Sequence, residues 1–220
     1  VLMLRPDPRD LAVGGEEVAR PARPVREIVT LRPGLAALVS IGIAQAVMVT
    51  FMGVIPVVLD SHHAGELTVS TVVGIHLGGM FALSPVIGMV LDRWGRRAGL
   101  LLGAVLTSAG VMVSLLDDAV PVEATGLFLV GVGWSAAYLG STAVLSDLSS
   151  PTERAGALGV ADLVASLTAA AGVLTGGFLF ESTGFAPLAW AAVVALVLPL
   201  GLVLALREPS PGRWPAPSEG

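Results

Sequence analysis

The chain has 220 residues, of which 54% are hydrophobic and 13% charged, with a formal net charge of −5 and a mean hydropathy of +0.84. A water-soluble domain carries about a quarter charged residues, so this composition excludes an ordinary water-facing surface. It contains no cysteine, which excludes disulfides and thiolate metal sites.

The opening VLMLRPDPRD lacks the charged, apolar and cleavage regions of a signal peptide and reads as the last turn of a preceding helix. Residues 5–34 hold six arginines and five prolines without a sustained apolar period, so 1–34 is expected to be a cytoplasmic linker. Six apolar segments follow, each near the roughly 20 residues that cross a bilayer core. The first, 35–59, carries Gln45 near its middle and Pro56. In the second, 67–91, His76, Met80 and Ser84 recur every four residues and so share a helix face, and Pro85 lies inside the segment. The third, 98–116, has only small hydroxyls. The fourth, 122–146, has Trp134, Tyr138 and Thr142 on one face, with Ser135 and Ser141 beside them. The fifth, 155–180, carries Asp162 and Ser166 about two turns in, and the sixth, 186–206, has Pro199 and almost no polar side chain. The pairs Gly74/Gly78, Gly99/Gly103 and Gly172/Gly176 are small-xxx-small patterns that let helix backbones approach. The tail 207–220, rich in Pro, Ser and Gly, is expected to be disordered and cytoplasmic.

The arginines set the topology. Arg5, Arg9, Arg20, Arg23, Arg26 and Arg32 precede the first segment, Arg93, Arg96 and Arg97 lie between the second and third, Arg154 between the fourth and fifth, and Arg207 and Arg213 follow the sixth. The other loops, DSHHAGE, LDDAVP and ESTGFAP, have none. All twelve basic residues thus fall on one side of a six-helix arrangement, and the positive-inside rule makes that side cytoplasmic. Both termini are expected there, in a multi-pass protein of the cell's inner (plasma) membrane.

Polar residues at membrane depth point to a pathway. Gln45 either bridges helices or touches a substrate. His76 either titrates and couples proton movement or sits neutral against a neighbouring helix, the second being preferred. Trp134 and Tyr138 suit a flat or apolar substrate, or plain packing. Asp162 carries a proton or serves structurally at a gate. His62 and His63 beside Asp60 and Glu66 read as a solvated loop, and no metal or cofactor site is assigned. No H-E-x-x-H, G-x-S-x-G or P-loop pattern is present, so an enzyme or an ATP-driven pump is not expected. The arginines are accounted for by topology, which leaves nucleic-acid binding without support. The first, second, fourth and fifth helices carry the polar residues, and the third and sixth are expected to face lipid.

Between the second and third segments the chain reads Gly88-Met89-Val90-Leu91-Asp92-Arg93-Trp94-Gly95-Arg96-Arg97. Gly88 permits close helix contact, Gly95 can adopt a left-handed turn, and Asp92 can pair with a nearby arginine or a helix N-terminus. The pattern resembles the G-x-x-x-D-R-x-G-R-R signature of the major facilitator superfamily, and the resemblance extends over 35–206. It implies an all-α six-helix bundle like one half of that fold. The stretch Ser146-Asp147-Leu148 with Pro151, Glu153, Arg154, Gly159 and Asp162 resembles the family's loop between helices ten and eleven. His76 with Gly79-Met80-Phe81 and Ser84-Pro85 resembles its helix eight. The likeness is therefore to the C-terminal half.

The resemblance further implies secondary active transport of a small molecule, with the bilayer, a proton and an N-terminal six-helix half or a second copy as partners. It makes Gly88, Asp92, Arg93, Gly95, Arg96, Arg97, Asp147, Glu153 and Arg154 a cytoplasmic gate, with Asp92 and Arg93 as the gate pair and Asp147 as their partner. Gln45, His76, Ser84, Trp134, Tyr138, Thr142 and Asp162 become candidate substrate or coupling residues. The N-terminal six helices of the family pattern are not in this sequence, so a non-transporting scaffold or inactive fragment is the alternative.

Overall fold

Leucine, valine and alanine dominate long stretches with no interior charge, and in a bilayer such stretches must be helical because only a helix satisfies its own backbone. The computed structural model describes residues 22–206, and among them six helical spans are long and apolar enough to cross a membrane. The expectations for residues 1–21 and 207–220 lie outside the described residues. The elements are α1 (Val25–Val29), α2 (Arg32–Ser61), α3 (Glu66–Phe81), α4 (Ser84–Trp94), α5 (Arg96–Ser114), α6 (Val120–Leu148), α7 (Arg154–Thr183) and α8 (Phe185–Ala205). Pro33, Pro85 and Pro121 stand in the first turns of α2, α4 and α6, where the missing N–H has no partner to lose.

Two expectations change here. The linker contains the short helix α1, whose Ile28 is fully buried. The second span is broken at Ala82–Leu83, so Pro85 opens α4 instead of kinking a continuous helix. Pro56 and Pro199 do lie inside α2 and α8.

Helix pairing follows the small residues. Gly126, Gly133 and Gly140 recur every seven residues and form one face of α6. That face meets α5 running the other way: Gly126 on Ser114 and Gly110, Gly133 on Thr107 and Gly103, Gly140 on Gly99 and Leu100. A Cβ at Gly103 would stand 2.7 Å from the Ala137 nitrogen, so the two backbones are in direct contact. On the other flank, Gly172 and Gly176 of α7 meet Ala46 and Thr50 of α2, and the Thr50 hydroxyl donates to the Gly172 carbonyl at 2.9 Å. Such an interhelical bond contributes about 0.6 kcal/mol in a membrane. Gly74, Gly78 and Gly88, expected to permit close contact, have no atom within 4 Å of where a Cβ would sit. In their region it is Gly79 that packs, 2.7 Å from the Phe128 carbonyl by the same measure.

The core forms two main clusters. One, at the arginine end, gathers Ile28, Ile41, Leu100, Leu145 and Ala161. The other, at the opposite end, gathers Met48, Phe51, Ile55, Leu127 and Leu196. The third and sixth spans, expected to face lipid, are not the most exposed ones within this unit. The central window of α7 is only 11% buried and that of the α3–α4 span 28%, against 44% for α5 and 33% for α8. The hydroxyls and glycines of α5 include seam residues packed on α6.

Candidate functional site

At the arginine end, α4 stops at Trp94 and Gly95 turns the chain with φ 85° and ψ 169°, a conformation open to glycine and strained for any residue with a Cβ. The turn releases two arginines at the start of α5. Arg96 donates to Asp92 at 3.1 Å and to Asp147 of α6 at 3.1 Å. Arg97 donates to the carbonyls of Val203 and Leu204 at 3.0 and 2.9 Å, capping the last turn of α8, where Val203 also accepts the Leu206 amide at 3.2 Å. Arg93, expected to pair with Asp92, is exposed and makes no hydrogen bond among the described residues. Its position on α4 precedes the turn, whereas Arg96 follows it and faces back onto both acids. Arg96→Ala should therefore lower stability by about 2 kcal/mol, the scale of charge-assisted hydrogen bonds, while Arg93→Ala leaves the melting temperature of the purified chain nearly unchanged.

Glu153 precedes α7 and joins a different partner. Its carboxylate receives the Arg23 side chain at 2.9 and 3.0 Å and the Arg23 and Ser150 amides at 2.7 and 2.9 Å. Arg23 also reaches the Leu148 carbonyl at 2.9 Å. This clamp holds α1 against the α6–α7 turn, where Val25 lies over Gly156. The Arg23 guanidinium holds the Glu153 carboxyl far below the usual carboxylate range, the accepted amides acting in the same direction. A depressed carboxyl contributes stability that is complete above its unfolded value of about 4.3 and is lost as pH falls from there through the folded value. The protection of amides 22–31 relative to their intrinsic exchange rates should thus fall in acid, and Glu153→Gln should show the lower protection already at neutral pH. Among the described residues Arg154 reaches only the Ser146 carbonyl, at 3.5 Å.

Midway along the bundle, four of the seven candidate substrate or coupling residues are connected. The Trp134 indole N–H donates to the Gln45 oxygen at 2.5 Å. Trp134 stacks on Tyr138 with ring centroids 5.2 Å apart and planes 28° apart, and Phe81 of α3 meets its edge at 6.2 Å. The Tyr138 hydroxyl donates to Asp162 at 3.3 Å. One chain of contacts thus runs from α2 through α6 to α7 and touches α3, bridging the two core clusters. Asp162 and Ser166 are exposed on α7.

The remaining three point elsewhere. His76 is fully buried, and its Nδ1–H donates to the Leu127 carbonyl of α6 at 2.7 Å, so it ties two helices together. Ser84 bonds to Ser135 at 3.2 Å and to the Met80 carbonyl at 3.1 Å. Thr142 turns back onto the Tyr138 carbonyl at 2.9 Å. An apolar groove of about 170 Å³ between α2, α7 and α8, lined by Thr50, Phe51, Gly172 and Leu188 among others, shares none of the candidate residues. Phe81, Arg23 and Glu123 are not among the expected site residues. Arg23 was legible only as topology, and Phe81 only as part of a family pattern.

Fold and site together define a multi-pass helical membrane protein built around an interior aromatic and polar chain. The chain belongs to the Major Facilitator Superfamily, whose family model matches residues 18–220. It is 30% identical over 164 residues to the uncharacterized MFS-type transporter YddS of Bacillus subtilis, covering 74% of this chain and 38% of that protein. It is 30% identical over 193 residues to the uncharacterized MFS-type transporter YdeG of the same organism, covering 84% and 45%. It is likewise 30% identical over 190 residues to the riboflavin transporter RfnT of Brucella anthropi, covering 84% and 47%. The chain thus spans less than half the length of each of these relatives.

Proposed function

We propose that this chain is the C-terminal six-helix half of a secondary transporter that moves a small molecule across the cell's inner membrane by alternating access. In this reading 1–34 is the central linker, 35–206 the transmembrane unit and 207–220 the tail, with both ends cytoplasmic. The observation that carries it is Asp162: an acid exposed on α7 about two turns inside the helix is costly against lipid, which supports a face bordering water or another part of the protein. Gln45, Trp134 and Tyr138 lead from that face into the bundle. The stacked rings present flat apolar area, which suits a planar aromatic substrate, riboflavin being the first to try given the name of one relative. The Arg96–Asp92–Asp147 cluster forms the cytoplasmic gate, and its ion pairs bias alternation if they form in one state only. His76 and Asp162 are the groups available for proton coupling. The partner is an N-terminal six-helix half, a second copy being the alternative.

The test is uptake in proteoliposomes under a pH gradient, with this chain alone and with an upstream six-helix segment of a relative's type added. Uptake only in the combined sample supports the half-transporter reading. Uptake by the chain alone implies a self-assembled dimer, and silence from both samples across riboflavin and a panel of drug-like cations, with folding verified, rejects transport.

A further inference from the structure

Glu123 lies in the first turn of α6, at the end of the bundle opposite the arginines, and is fully buried. Neither of its carboxylate oxygens has a hydrogen-bond partner among the described residues. The polar group facing it is the Ser114 hydroxyl of α5, itself 1% exposed and without a partner. The seam is closed over both: a Cβ at Gly126 would strike Ser114 and stand 2.9 Å from the Gly110 carbonyl.

Apart from the Ser114 hydroxyl and the loop histidines, the described surroundings are acidic or apolar. The α5–α6 loop contributes exposed Asp117 and Asp118, both acidic. The α2–α3 loop contributes Asp60, His62, His63 and Glu66, and His62 lies 3.8 Å from Asp118. Glu181 closes the end of α7. Every arginine of the described residues is at the other end. The α6 N-terminus favours an anion, yet no free amide reaches either oxygen, and the Glu123 N–H is used by the Ala119 carbonyl. A fully buried carboxylate with no cation beside it and a single neutral hydroxyl facing it is penalised, and taking up a proton relieves the penalty.

We propose that Glu123 is a proton-binding site in the α5–α6 seam, loaded in the closed conformation described here and ionising only when the seam opens to water. Binding converts one carboxylate oxygen to O–H, which the Ser114 hydroxyl is placed to accept, and the site goes from one negative charge to neutral. The proposal needs only the folded chain in a membrane and stands whether or not the transport assay succeeds.

The test is infrared spectroscopy of the full chain in lipid nanodiscs at neutral pH, where exposed acids are ionised. A protonated-carboxyl C=O band is expected in the wild type, lost in Glu123→Gln and retained in Asp117→Asn. Isotope labelling of glutamate in the wild type should shift the same band, which keeps the test decisive if Glu123→Gln does not fold. Absence of the band at neutral pH, a band that glutamate labelling leaves in place, or one that survives in folded Glu123→Gln would overturn the proposal.

Discussion

Gly133→Val is expected to unfold the α5–α6 seam, lowering stability by about 3 kcal/mol or more. The new Cβ would meet the Thr107 hydroxyl and stand 2.5 Å from the Thr107 nitrogen and 2.9 Å from the Gly103 carbonyl. Two of those three atoms are backbone, so no rotamer change clears them and the helices must separate. In a membrane this separation forfeits the van der Waals contact that holds the pair, because lipid tails are as apolar as the side chains they would replace. Gly201→Val on α8 is the control: nothing lies within 4 Å of its Cβ position, and the effect should stay within about 0.5 kcal/mol. Thermal unfolding of both purified variants in detergent checks the contrast. Equal melting temperatures would mean that the seam is not what holds α5 in place.

The second large effect is expected at Trp134. Trp134→Ala removes the stack on Tyr138, the edge contact with Phe81 and the hydrogen bond that occupies Gln45. Loss of a large aromatic side chain at a packed site costs about 3 kcal/mol, and the Gln45 amide is left unanswered. Trp134→Phe keeps a ring in the stack and loses only the N–H, which should cost about 1 kcal/mol. Under the transporter reading the two variants also separate in function. Phenylalanine retains a flat face and most uptake of a planar substrate, whereas alanine abolishes it. Melting temperature and uptake should fall together in the order wild type, Phe, Ala. Equal uptake by folded wild type and Trp134→Ala would remove Trp134 from the pathway.

The six spans, their count and the segregation of arginines were legible because charge and long apolar runs are set by the bilayer itself. The match around Asp92 was legible because the turn at Gly95 needs few residue types in a fixed order. Which face of each helix is buried was not legible. Lipid and protein interior are equally apolar, so periodicity does not mark the inward side, and Gly74/Gly78 looked as good a contact as Gly172/Gly176. Only the latter pair meets a neighbour. The seven-residue recurrence of Gly126, Gly133 and Gly140 was present in the sequence and is the signal that would have found the α5–α6 seam. The choice of Arg96 over Arg93 depended on the direction of the chain after Gly95, a backbone property no side-chain pattern reports. One acid at the end of an apolar segment reads as a loop boundary, so the burial of Glu123 is not legible in the sequence; it follows from the close approach of α6 to α5 at Gly126 and Gly110.

The chain's lack of cysteine gives a clean background for the most direct test of a water-lined path along α6 and α7. Single cysteines at Tyr138→Cys, Asp162→Cys and Ser166→Cys, with Val194→Cys and Val197→Cys on the exposed side of α8 for comparison, can be treated in native membranes with a water-soluble thiol reagent. Labelling is expected at 138, 162 and 166 and not at 194 and 197, with added substrate slowing reaction at 138. Uniform silence at 138, 162 and 166, or labelling no faster than on α8, would place that face against lipid or sealed protein and contradict the transport pathway.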